Sequence, residues 1–203
     1  AAGAENGAGG SGFGAGDYGE GDYGEGNPAE YFPRTWSLHA WGENLIASPR
    51  GGTIYVWQNN PAVVATVIAN APDQCTAVMV TPERQVLALG CNEESGGTFN
   101  SRCIRGCDIG NYDDWTTSSN DNVFEHILEG SGGNIVSGRM VGSYVGVWTD
   151  RGLFMGEFIG AADETYRFDL QTSNAGLCGP NAVHIYNKRA WWLSPDYQFY
   201  AWA

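Results

Sequence analysis

From Thr35 onward the apolar residues fall in short runs with period-two alternation, separated by clusters of Gly, Pro, Asp and Asn, and no stretch repeats at the helical 3.6. Runs at 36–41, 44–48 and 53–57 predict three strands, broken at Gly42-Glu43 and at 49–52. A second trio is predicted at 75–80, 85–89 and 102–105, with its first turn at 81–84. A third occupies 134–140, 144–148 and 152–158, pivoting on Asp150-Arg151-Gly152, and a fourth 182–186, 190–193 and 198–202, pivoting on Ser194-Pro195-Asp196. Each trio reads as an antiparallel meander. Their central strands are offset by 42 residues (Leu45 to Leu87), 61 (Leu87 to Trp148) and 43 (Trp148 to Trp191). The long interval holds turn-rich inserts at 92–100 and 108–122.

A unit of 40 to 50 residues with three or four strands and an aromatic near its centre is the pattern of a β-propeller blade. A β-sandwich would show turn signals every 8 to 12 residues without the longer period. The expected fold is therefore all-β: a β-propeller of about four blades, at 35–70, 71–125, 126–170 and 171–203, which can be part of a larger propeller. Trp41, Trp57, Trp148 and Trp191 are the expected blade-packing residues. The chain ends in a strand-like run whose edge needs a partner, and it reads as a fragment of a longer protein.

Residues 1–34 have a different composition. Eleven of the 30 glycines lie in the first 26 positions, and residues 1–34 carry six carboxylates with no Lys or Arg before Arg34. Such a tract has too little apolar area to offset the entropy of ordering glycine. Its aromatics, Phe13, Tyr18, Tyr23, Tyr31 and Phe32, are spaced as anchors, so it reads as an extended arm lying on another surface, a neighbouring subunit in preference to its own domain.

The formal net charge of −13 disfavours a general phosphate-binding surface, which needs clustered Lys and Arg. No apolar run reaches the ~18 residues of a membrane helix, so no membrane insertion by this chain is expected. No secretion signal is visible at the start. Five cysteines, Cys75, Cys91, Cys103, Cys107 and Cys178, fit neither a disulfide framework nor zinc spacing and read as small buried residues.

Catalytic motifs are sparse. The sequence has no nucleophile elbow, phosphate loop or paired-histidine zinc motif. His39, His126 and His184 lack a second ligand at metal spacing. Asp113-Asp114 beside Trp115 and the pair Asp163-Glu164 are weak candidates for glycosidase carboxylates. The turns at Asp150 and Asp196 resemble the Asp-boxes of sialidase propellers, where an Asp side chain accepts turn amides, a structural role; the arginines show no cluster for a substrate carboxylate. No catalytic residue, cofactor or metal site is expected.

Residues 35–47 and 50–57 resemble the opening blade of tailed-bacteriophage tail hub and nozzle proteins. The repeat Gly-Asp-Tyr-Gly-Glu at 16–20 and 21–25 is similar to theirs, and 102–116 resembles their Arg-Trp-Ser-Asp-x-Gly-x-x-x-x-Trp-Thr segment, with Arg105-Gly106-Cys107 in place of the usual Trp-Ser. The resemblance implies a non-enzymatic virion protein in a homo-oligomeric ring. Double-stranded DNA would pass through the lumen without specific binding, and other tail and portal-adaptor proteins would be neighbours. A net negative wall fits that task because it repels phosphates. The rival reading is a carbohydrate-binding or hydrolysing propeller in receptor recognition; a kelch or WD-type interaction propeller would carry signature dipeptides that are absent.

Overall fold

The computed structural model describes residues 35–117, 122–130, 133–161 and 164–203. The arm anchors Phe13, Tyr18, Tyr23, Tyr31 and Phe32 lie outside these, as does Asp163.

Among the described residues, fifteen strands form four antiparallel sheets in chain order. Sheet I holds β1 (Trp36–Trp41), β2 (Asn44–Pro49), β3 (Tyr55–Trp57) and β4 (Thr66–Val67). Sheet II holds β5 (Cys75–Val80), β6 (Val86–Asn92), β7 (Phe99–Gly106) and β8 (Phe124–Ile127). Sheet III holds β9 (Ile135–Val141), β10 (Tyr144–Thr149), β11 (Leu153–Ala161) and β12 (Glu164–Thr172), and sheet IV holds β13 (Val183–Tyr186), β14 (Arg189–Leu193) and β15 (Phe199–Trp202). Every sheet is a meander in which consecutive strands are neighbours. Among the described residues no helix is long and apolar enough to cross a membrane.

Two-residue loops close the first hairpins of sheets I, III and IV, which fixes their registers at Trp41↔Asn44, Val141↔Tyr144 and Tyr186↔Arg189. In sheet IV the loop is Asn187-Lys188, both residues at positive φ (49° and 61°), a conformation that Asn tolerates and Lys adopts at a cost. The turns Thr81–Gln85 and Ser194–Gln198 share one geometry. In each, the first residue's N–H donates to the fifth residue's carbonyl, and the fourth residue, Arg84 or Tyr197, is left-handed.

Three hydrophobic cores join the sheets in series. Trp41, Ile46 and Val56 of sheet I, with Ile54 just before β3, pack with Cys75, Val86, Ala88 and Cys103 of sheet II. Met79, Leu87, Leu89 and Ile104 of sheet II pack with Val145, Val147, Phe154 and Tyr166 of sheet III. Val141, Trp148, Leu153 and Met155 of sheet III pack with Ala190 and Trp192 of sheet IV. The first strands lie nearest one another, β1 on β5, β5 on β9 and β9 on β13. Alternation explains the arrangement: along β6, Val86 and Ala88 face sheet I while Leu87 and Leu89 face sheet III, so the strand is buried on both faces and reads as one apolar run.

β4, β8 and β12, outermost strands of sheets I to III, are additions to the predicted meanders. The described first part of the insert between β7 and β8, residues 107–117, is not a detached loop. It returns Trp115, 1% exposed, and Tyr112 to the first core, where Tyr112 meets Trp41 edge-on at 5.6 Å. Trp115 donates its indole N–H to the Tyr112 carbonyl, and Arg105 donates to the Trp115 carbonyl.

Candidate functional site

Among the described residues, sheets II and III bury both faces, whereas sheets I and IV bury one each. The free face of sheet I follows from the alternation of β1, which turns His39 and Trp41 inward and Trp36, Leu38 and Ala40 outward. Register extends these into rows: Ala40, Leu45 and Trp57 form one, and Leu38, Ala47, Tyr55 and Val67 the next. Trp36 stands at the end of β1 with its ring 6.4 Å from that of Tyr55. No position in these rows is polar or charged apart from the Tyr55 hydroxyl and the Trp indoles. Leu38 is 58% exposed and Val67 53%. Trp57 donates its indole N–H to the carbonyls of Asn60 and Val63, which ties the loop carrying exposed Val63 and Val64 beside the face.

The free face of sheet IV is aromatic. In register, His184, Trp191 and Ala201 form its central row, Tyr186 opposes Arg189, and Leu193 opposes Phe199. Tyr186 and Phe199 are largely exposed. Strand β15 is also the outer edge, since this sheet has three strands where the others have four.

The tryptophans expected to pack blades divide. Trp41 and Trp148 are buried in the first and third cores. Trp57 is half-buried on the free face of sheet I and belongs to no core. Trp191 points outward on the free face of sheet IV and enters none of the three cores; its neighbour Trp192, 3% exposed, packs edge-on against Trp148 at 5.8 Å. The hairpin register sets Ala190 and Trp192 inward together, and a one-residue change of phase moves a side chain to the other face.

The acidic candidates serve turns. Asp114 Oδ1 accepts the Thr116 amide, Asn111 accepts the Asp113 amide, and the adjacent Trp115 is buried, so no aromatic platform stands beside this pair. Glu164 forms an exposed ion pair with Arg167. In the Asp-box-like turns the hydroxyl, and not the carboxylate, holds the hairpin. Thr149 Oγ1 accepts the amides of Gly152 at 2.8 Å and Arg151 at 3.2 Å, while Asp150 reaches across to the Asn134 amide. Ser194 Oγ accepts the Gln198 amide and donates to Asp196.

Among the described residues no group of His, Cys, Asp and Glu is placed to hold a metal ion. His184 lies on the free face of sheet IV. His39 and His126 are held below the ordinary histidine value, His39 by burial and then by Arg139, His126 by burial against the opposing pull of Glu129 and Glu164. Four cysteines are buried and all five are free thiols; Cys178, expected inside, is exposed. It sits in the link between sheets III and IV, just beyond the buried Ala175–Leu177 segment.

No protein-family model matches the chain, and no curated protein does. Ten solved chains match in structure. Among them, the crystal structure of the computationally designed Ika4 protein is similar with a TM-score of 0.51 and 14% sequence identity, over 82% of this chain and 88% of that one. The likeness concerns the fold: four meander sheets in series.

Proposed function

We propose that the chain is a non-enzymatic structural protein of a bacteriophage tail, a component of the hub or nozzle ring around the DNA exit channel. The observation that carries the structural part of this reading is the free face of sheet I, a rigid in-register surface of apolar side chains. Monomeric proteins seldom leave such a surface in water, and apolar patches of this kind mark assembly sites. The tail assignment rests on the sequence resemblance. Charge supports it in one respect: a chain with a net charge of −13 repels phosphates, so passing DNA would not be held. Closure of the sheets into a propeller, within one chain or between chains, belongs to the same proposal.

Electron microscopy of the full chain, with a filter-retention assay on double-stranded DNA at physiological salt, tests it. Rings with an open lumen and no DNA retention are expected; dispersed single subunits, or tight DNA binding, would contradict it. The exposed aromatics of sheet IV favour one second reading, carbohydrate stacking on Trp191 and Tyr186. Binding on a glycan array that disappears in Trp191→Ala would establish that reading instead.

A further inference from the structure

The internal junctions run in one sense, each sheet presenting to the next the face opposite the one it presents to the last. The two faces left over are therefore of opposite kinds: among the described residues no sheet precedes sheet I or follows sheet IV. We infer that a second copy of this chain covers them head to tail, sheet IV of one copy packing on sheet I of the next, so that the contact between copies continues the step that joins sheets II and III. This deepens the assembly reading above and rests on it.

Three observations favour this occupant. Pairing sheet I with sheet I would reverse the step and leave sheet IV bare, whereas the head-to-tail contact covers both faces of every interior copy. The surfaces also complement one another: sheet I offers small residues, Ala40 and Ala47, between large ones, and sheet IV projects Trp191 from the middle of its central row. The junction of sheets III and IV uses the same combination, with Trp148 edge-on to Trp192 beside Ala190. Finally, a chain with a net charge of −13 places no carboxylate on the strand positions of either face. Copies that repel one another elsewhere meet here without an acid to bury, and the one strand cation, Arg189, stands at the β13–β14 hairpin end of the sheet IV face.

The test uses one charge on each face in the full-length chain, Leu38→Glu and Phe199→Glu, at positions 58% and 83% exposed so that the fold of the single copy is spared. Mass is measured by light scattering up to about 100 μM. The unmodified chain should self-associate, and each variant alone should associate at least ~30-fold more weakly. Mixed together, the two variants should recover one junction and give a dimer of one copy each, because each retains the face that the other has lost. Self-association of Phe199→Glu with Leu38→Glu monomeric would mean that sheet I pairs with itself; this overturns the head-to-tail contact and leaves the assembly reading standing. Failure of the mixture to dimerise, or full association of Leu38→Glu, overturns it as well. A monomeric unmodified chain overturns both readings and identifies a segment of the same chain, or another protein, as the cover. Should either Glu variant lose its far-ultraviolet strand signal, Ala47→Arg and Ala201→Arg test the same two faces.

Discussion

Burial decides the chemistry of the individual side chains. It pushes the Cys75 thiol up to about 11 and Cys107 to about 12, and Cys91 is raised by its hydrogen bond with Cys103 and by burial. The thiolate is the nucleophile, so these groups are doubly protected, by access and by protonation. A disulfide-exchange reagent at pH 8 should label one thiol rapidly in the native protein, and Cys178→Ser should abolish that phase. A second rapid thiol would contradict the burial of the cysteine cluster. The histidines impose a pH dependence whose sign is fixed. His39 and His126 have folded values below the unfolded value of ~6.5. The unfolded chain then binds more protons in the interval beneath it, so the contribution to stability is present above ~6.5 and is lost as pH falls through the folded values. The urea midpoint of His39→Asn should fall less steeply than that of the unmodified chain between about pH 7 and 5; parallel slopes would show that His39 does not titrate with unfolding.

At the level of the strand and sheet, the junctions are packed closely enough to require glycine. A Cβ on Gly138 would stand 2.4 Å from Leu89 Cδ1 and 3.0 Å from Met79 Sδ, inside the core between sheets II and III. Gly138→Ala should cost ~1–3 kcal/mol by overpacking, measured by urea unfolding, while Gly179→Ala, with nothing within 4 Å, should be near neutral. Equal stability of the two variants would mean that the junction has room to yield.

The first strands of each sheet were legible in the sequence because they alternate or run apolar between strong turn signals. β12 escaped the same reading because Glu164, Arg167 and Asp169 dilute a strand that buries only Thr165, Tyr166 and Phe168. β4 is two residues long, too short to carry a period. Trp191 and Trp192 are adjacent and chemically identical, so only the register of the β13–β14 hairpin, fixed by left-handed Asn187 and Lys188, tells which one faces the core. The free faces were hidden for a different reason: an outward-facing alternation in β1 looks like any buried one until the array is known to begin there.

At the scale of the whole molecule, four sheets joined by three cores leave, among the described residues, one apolar and one aromatic face uncovered and free of acid, in a chain whose net charge of −13 opposes association everywhere else. Apolar contact and charge repulsion respond oppositely to salt, which screens the repulsion and leaves the contact intact. The most direct test is the solution mass of the intact chain as a function of protein concentration and of salt between about 0.05 and 0.5 M. The account predicts species heavier than the 21.8 kDa single chain that gain population with concentration and with salt. A single species of 21.8 kDa under all these conditions would contradict it.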